Sequence, residues 1–158
     1  MDQNGHTFPF PKLDLTLSGI SVAGICTSMQ VKEAGLCIDC GTLTPLAIRM
    51  PVMALTHGHV DHAGGLATYL GNRKLMRMGN STIFAPEEIS EPLKEITAVW
   101  EKIQGRPFET EFIAAIPGEF YKIGTRLSLR PFRTRHTVPS VGYTLVRHKH
   151  VLKDELKG

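Results

Sequence analysis

A dense run of metal-binding residue types constrains this chain more than any other feature. Three histidines and one aspartate lie within six residues, at His57, His59, Asp61 and His62. Imidazole nitrogen suits zinc, iron, nickel or copper, and carboxylate oxygen suits harder ions, so the mixture favours zinc first and manganese or iron second. A single histidine is usually a surface or core residue, but four potential ligands at this spacing predict a metal site with room for two ions.

The residues around this run predict a strand, a ligand loop and a helix in that order. The strand is the short apolar run 52–55, which follows a proline. In an extended loop, His57 and His59 project to the same side and can chelate one ion, whereas Asp61 and His62 at the start of the helix can reach a second. The helix is indicated by apolar residues at helical spacing, namely Ala63, Leu66, Ala67 and Leu70.

Length and composition predict one globular domain spanning residues 1–158. Of the 158 residues, 42% are hydrophobic and 21% are charged, which is ordinary for a folded domain with a real core. No internal repeat or linker divides the chain, and no apolar run is long enough to span a membrane. The first residues lack the pattern of a secretory signal, so we expect a cytoplasmic protein without membrane association.

Basic residues cluster although the formal net charge is only +3. Some of them can contact phosphate groups beside a metal site, but a solvated surface explains the same residues equally well. The two clusters are Arg73, Lys74 and Arg77, and Arg126, Arg130, Arg133 and Arg135.

Three cysteines, Cys26, Cys37 and Cys40, are an odd number for a disulfide framework. The segment 34–39 reads as a strand, where residues three apart point to opposite faces, so Cys37 and Cys40 would not chelate an ion together. We therefore interpret them as small buried hydrophobic residues.

Hydrophobic periodicity elsewhere predicts an α/β unit. Strands are predicted over 13–17, 20–31, 36–39, 82–85, 120–123, 127–132 and 141–146, with a connector over 42–50 that contains a short helix. A further helix is predicted with Ser90 as its N-cap and Gly105 at its end. Its apolar stripe, with Trp100 as an anchor, is predicted to pack in the core; it comprises Leu93, Ile96, Val99, Trp100 and Ile103.

The pattern H-x-H-x-D-H resembles the metallo-β-lactamase superfamily, which implies an αββα sandwich. In that superfamily a later strand end supplies a third histidine to the first metal, and His136 is the candidate here. The segment 138–143, Val-Pro-Ser-Val-Gly-Tyr, resembles the ribonuclease Z branch, whose members mature the 3′ ends of tRNA. Asp39 lies where the superfamily commonly has an aspartate that supports the ligands.

This resemblance implies a ligand set and an activity. His57, His59 and His136 would bind one zinc ion, and Asp61 with His62 a second, with manganese or iron as alternatives. Asp61 would also act as a catalytic residue that accepts a proton from a metal-activated water. The implied function is a metal-dependent hydrolase that cleaves a phosphodiester in an RNA such as a tRNA precursor.

The later part of the family pattern is not matched. The family has a bridging aspartate and a last histidine after the Gly-Tyr segment, and the setting of Asp154 does not fit that aspartate. His148 and His150 are flanked by charges that favour an exposed strand end. We therefore expect only the N-terminal αβ half of the sandwich, with an exposed inner sheet face that needs a homo-oligomeric contact or a complementary C-terminal segment.

Two other functions remain open at this stage. A thioester, lactone or sulfate-ester hydrolase of the same superfamily would share the motif up to His62. A non-catalytic, metal-binding fragment that requires a partner would explain the missing bridging aspartate.

Overall fold

The computed structural model describes residues 5–148 and contains one large mixed sheet. Its seven strands lie side by side in sequence order; the first four pair antiparallel, and the pairs from the fourth to the seventh are parallel. The strands are β1 (His6–Phe10), β2 (Leu15–Val22), β3 (Cys26–Val31), β4 (Leu36–Ile38), β5 (Val52–Ala54), β6 (Ser81–Ala85) and β7 (Thr110–Ala114).

A second sheet and three helices complete the described fold. The second sheet is antiparallel and consists of β8 (Tyr121–Lys122), β9 (Leu127–Arg133) and β10 (Val141–Arg147). The helices are α1 (Val60–Ala63), α2 (Leu66–Leu75) and α3 (Glu87–Gln104), and short 3-10 turns occur at Pro11–Leu13, Lys32–Ala34 and Ala47–Arg49. Among the described residues, no helix is both long and apolar enough to cross a membrane.

Apolar side chains form a core on each face of the large sheet. Between the two sheets, Ala54 and Phe84 pack with Leu129 and other residues of the small sheet. On the opposite face, Met53 and Ile83 pack against the helices. The small sheet therefore covers the inner face of the large sheet, and the expectation that this face is open is wrong for this part of the chain.

The large sheet differs from the sequence prediction in the division between β2 and β3 and in its two edge strands. The predicted strand over 20–31 is divided into β2 and β3 by a turn in which Gly24 has a φ of 69°, a backbone conformation that glycine adopts without a steric cost. Strands β1 and β7 were not predicted. Both lie at an edge of the sheet, where one neighbouring strand is enough to form them and the hydrophobic pattern is weak.

Helix α3 begins three residues before the predicted N-cap. Pro86 precedes its first turn, and Ser90 is buried inside the helix rather than capping it. Gly105 ends the helix as predicted, with a φ of 68° and its N–H donating to the carbonyl of Glu101.

The predicted core stripe of α3 is largely exposed. Trp100 is 45% exposed and Ile103 is 67% exposed, whereas the polar Thr97 is buried. Helical periodicity shows that a helix has an apolar face, but it does not show which surface covers that face. The interpretation of Trp100 as a core anchor is therefore wrong.

Arg73 neither is available to contact phosphate nor faces solvent, in contrast to both possibilities left open by the sequence. Its side chain is buried, and its guanidinium donates hydrogen bonds to five backbone carbonyls. These carbonyls belong to the two loops that precede β5 and β6, at Ile48, Met50, Met78, Gly79 and Asn80. Arg73 therefore ties both loops to α2.

Replacing Arg73 with methionine should lower the free energy of unfolding by about 2 kcal/mol, because buried carbonyls lose their donors. Urea unfolding of Arg73→Met and of Lys102→Met, an exposed substitution on α3, would measure the difference. Equal stability of the two variants would contradict the structural role of Arg73.

The three cysteines are free, and two of them are buried. Burial raises the pKa of Cys37 to about 11 and that of Cys40 to about 12, so almost no thiolate is present at either position at pH 8. We expect one thiol per chain, that of the partly exposed Cys26, to react rapidly with a disulfide reagent at pH 8, and all three to react after unfolding. Rapid reaction of two or more thiols in the folded protein would refute this.

Candidate metal centre

The ligand loop is held where the two sheets meet. It follows β5, and the N–H of Val141 at the start of β10 donates to the carbonyl of Thr56 at 2.9 Å. His57 and Ser140 form an isolated antiparallel bridge next to this bond. The loop between β9 and β10, which carries His136, is thereby brought to the first histidine of the motif.

Three of the predicted ligands converge. One ligand atom from each of His57, His59 and His136 lies within 4.8 Å of the other two. Nδ1 of His59 is 3.2 Å from Nε2 of His136. Two nitrogens that share a tetrahedral zinc at ordinary bond lengths lie about 3.3 Å apart, so this donor set fits a zinc ion.

Asp39 fixes the loop that carries His57 and His59 through hydrogen bonds. This buried residue follows β4 and has a φ of 57°, which is uncommon for a residue other than glycine. Its carboxylate accepts hydrogen bonds from the N–H of Thr56 at 2.7 Å and from the Thr56 hydroxyl. Oδ2 also lies 2.8 Å from Nδ1 of His62. Burial raises the pKa of Asp39, and these hydrogen bonds oppose the shift.

The same contacts determine which histidine nitrogens can bind a metal. The single hydroxyl proton of Thr56 is donated to Asp39, so the hydroxyl accepts from Nδ1 of His57, 2.9 Å away. Nδ1 of His62 likewise donates to Asp39. In both neutral rings the lone pair is then on Nε2, which is the atom left to bind a metal.

His57 is kept neutral at physiological pH. Burial, together with the neighbouring histidines, lowers its pKa to about 4. A neutral imidazole is the form that binds metal ions, so this ring could bind one without first losing a proton.

Asp61 and His62 form only part of a second site. Oδ2 of Asp61 is 3.6 Å from Nε2 of His62, and the His62 ring centre is 4.0 Å from that of His57. Within residues 5–148, no further histidine, cysteine or carboxylate joins them in a group of three. The described chain therefore brings together three candidate ligands for one ion, with only Asp61 and His62 as candidates for a second.

Two glycines that the sequence analysis did not single out allow this arrangement. The N–H of Cys40 donates to the carbonyl of His62 at 2.6 Å, and the N–H of Gly65 donates to the carbonyl of Cys40 at 2.7 Å. A Cβ at Gly41 would overlap the carbonyl of Asp61, and one at Gly65 would lie 2.6 Å from the Cys40 carbonyl. The end of β4 can approach the ligand helix this closely because both positions lack a side chain.

Other sequence candidates lie elsewhere. Nε2 of His148 is 2.8 Å from the Ser128 hydroxyl and is not part of the histidine group. His150 and Asp154 lie outside the described residues. In the second basic cluster, Arg133 and Arg135 are exposed at the end of β9 and on the way to His136. Arg126 is exposed just before β9, and Arg130 is exposed on β9, 5.1 Å from the ring centre of Phe120.

The chain resembles known proteins in sequence and in fold. The nuclear ribonuclease Z of Triticum aestivum is 30% identical over 151 residues, which cover 94% of this chain and 86% of that protein. The chain belongs to the ribonuclease Z family. The chloroplastic tRNase Z TRZ2 of Arabidopsis thaliana is 32% identical over 145 residues, which cover 90% of the chain.

The share of a relative's length that this chain covers differs between the ribonuclease Z relatives. The chain spans 86% of the wheat protein but only 41% of the Arabidopsis TRZ2 protein. The metallo-β-lactamase fold protein YhfI of Bacillus subtilis has a TM-score of 0.61 at 15% identity, with 80% of this chain and 53% of that one covered. The metallo-β-lactamase fold predicted for this ribonuclease Z family member is thus confirmed. No protein-family model matches the chain.

Proposed function

We propose that this chain forms the histidine-rich part of a zinc-dependent phosphodiesterase that cleaves tRNA precursors. Membership of a family of hydrolases named for ribonuclease activity supports the reaction class. The convergence of His57, His59 and His136 from two sheets is the observation that carries the proposal.

Each side chain of the site has a distinct role in this proposal. His57, His59 and His136 hold the first ion, and His62 and Asp61 provide part of the second position. When bound, zinc lowers the pKa of water and polarises a phosphoryl oxygen. Asp39 keeps the rings of His57 and His62 in the required orientation, through Thr56 in the first case. Asp61 accepts the proton that the attacking water molecule loses.

Phosphate recognition beside the metal centre is assigned to Arg133 and Arg135. Both are exposed on the segment that leads to His136, and neither has a carboxylate partner within the described range. Guanidinium groups bind phosphate oxygens with two parallel hydrogen bonds, so these arginines can hold the RNA backbone next to the reacting bond.

The second position requires additional ligands. We propose that a second copy of the chain or a complementary C-terminal segment supplies them. A cytoplasmic location is also part of the proposal, although one relative is named as chloroplastic.

The test is cleavage of a tRNA precursor with an extended 3′ end, by purified protein with added Zn²⁺ or Mn²⁺. Bis(p-nitrophenyl) phosphate, a thioester and a lactone would be assayed in parallel. We expect activity on the two phosphodiesters that is lost in His57→Ala and kept in His148→Ala, the matched control outside the metal centre. Activity only on the thioester or the lactone would contradict a phosphodiesterase.

A second candidate is a metal-binding unit without turnover of its own. It is favoured by the incomplete ligand set around Asp61 and His62. In this case the purified chain would bind zinc but cleave none of the four substrates.

A further inference from the structure

A basic pocket with no role in the proposed reaction lies between the ends of α2 and α3. It has a volume of about 790 Å³ and is lined by Arg73, Lys74, Arg77, Gln104, Arg106 and Glu109, among others. We call this cavity the basic pocket.

The basic pocket is at the opposite end of the sheet from the metal centre. Ser81, the first residue of β6, lines it, whereas the ligand loop follows the last residue of the parallel neighbour β5. Helix α2 begins next to the metal loop and ends at the pocket. Its ten residues span about 15 Å, so the two sites are separated by roughly this distance.

Positive charge in the basic pocket exceeds negative charge. Four basic side chains face one carboxylate, that of Glu109, which pairs with Lys74 at 2.5 Å. The C-terminal ends of α2 and α3 add about half a negative charge each. The balance is about +2, so a bound anion would be favoured.

Two exposed cations of the pocket have no anionic partner in the described part of the chain. Among residues 5–148, no carboxylate lies within ion-pair distance of Arg77 or Arg106. Both side chains are exposed and can reach a ligand. The buried Arg73 does not reach a ligand, but its positive charge lies in the pocket wall.

Arg77 is kept in a backbone conformation that an arginine rarely adopts. Its φ is 54°, directly after the end of α2, at a position where helices commonly have glycine. Arg73 fixes the following residues by donating to the carbonyls of Met78, Gly79 and Asn80. The fold thus accepts an unfavourable residue here, which is expected where the side chain serves binding.

We propose that the basic pocket binds phosphate groups of the RNA backbone, about 15 Å from the metal centre. The RNA assignment rests on the proposed function. Arg77 and Arg106 contact the phosphates, and Arg73 positions the loop that carries Arg77. Binding here would hold an RNA at a second point and would not depend on a metal ion.

The test compares two pairs of substitutions that remove the same charge. Arg77→Gly combined with Arg106→Ala alters the pocket, and Lys12→Ala combined with Lys102→Ala alters exposed lysines outside it. Binding of a fluorescent single-stranded RNA and of tripolyphosphate is measured without metal at several salt concentrations. The pocket variant should bind RNA about tenfold more weakly than the control variant, and its salt slope should fall by about 1.4 because two phosphate contacts are lost.

Further measurements separate this proposal from failure of the fold or of the proposed function. Arg77→Gly alone should melt at the same or a higher temperature than the parent, since glycine adopts the positive φ freely. Bis(p-nitrophenyl) phosphate is too small to reach both sites. The pocket variant should therefore hydrolyse it at the same rate as the parent, whether that rate is high or low.

Equal RNA affinity and salt slope in the pocket and control variants would overturn the proposal. Weaker binding of tripolyphosphate with unchanged RNA binding would assign the pocket to a free polyphosphate and overturn the RNA assignment. Absence of hydrolysis by the parent protein, with the difference in RNA binding intact, would contradict the proposed function but not the phosphate site.

Discussion

Gly41→Ala should lower the free energy of unfolding by about 3 kcal/mol and prevent formation of the metal centre. The new Cβ would overlap the backbone carbonyl of Asp61 and lie 3.0 Å from the N–H nitrogen of Thr27. Backbone atoms cannot rotate away as a side chain can, so the end of β4 and the helix that carries Asp61 must separate. Thermal unfolding and zinc binding would measure both effects.

Gly71→Ala is the matched control for this prediction. Gly71 is inside α2, and a Cβ at this position would meet no atom within 4 Å. Alanine is favoured over glycine in a helix, so this variant should be more stable than the parent by about 0.5–1 kcal/mol. If the two alanine variants were equally stable, the close approach at Gly41 would be refuted.

Asp39→Asn should weaken zinc binding by about 10- to 100-fold, which is the usual effect of losing a group that orients the ligands. The amide keeps the size of the side chain and tolerates the positive φ, but it no longer offers two acceptor oxygens. The protons of Thr56 and His62 then compete for one oxygen, and the ring orientations of His57 and His62 are no longer fixed. Competition with a chelator of known affinity would measure the change.

Asp14→Asn provides the control for Asp39→Asn. Asp14 also has a positive φ, 51°, but it is exposed at the end of a short turn. The same chemical change there should leave zinc affinity within a factor of two of the parent. A similar loss in both variants would show that Asp39 has no specific effect on the metal centre.

The local part of the candidate site could be predicted from sequence because the ligands are close along the chain. His57 and His59 lie on one loop, and Asp61 and His62 lie on the short helix that follows it; the strand before the loop and the helix after it follow from short-range patterns. Placing His136 beside them required the family resemblance. The hydrogen-bond chain from His57 through Thr56 to Asp39 required coordinates, since it depends on how the Thr56 hydroxyl lies between the ring and the carboxylate.

The errors share a physical cause: sequence patterns describe a residue but not its surroundings. The apolar stripe of α3 was recognised, but no neighbouring element among the described residues covers Val99 or Ile103. Arg73 belongs to a run of basic residues, yet it satisfies the carbonyls of two loops that are distant in sequence. Whether an arginine faces solvent or backbone depends on tertiary packing.

Zinc stoichiometry of the parent protein and of His136→Ala tests the central claim most directly, because His136 is the ligand supplied by the small sheet. Protein never exposed to chelator, analysed by elemental analysis and zinc absorption spectroscopy, should contain about one tightly bound zinc per chain with three imidazole ligands. His136→Ala should lose most of this zinc while remaining folded, since the side chain is exposed. Less than about half a zinc per chain in the parent, or equal zinc in both proteins, would contradict a three-histidine centre.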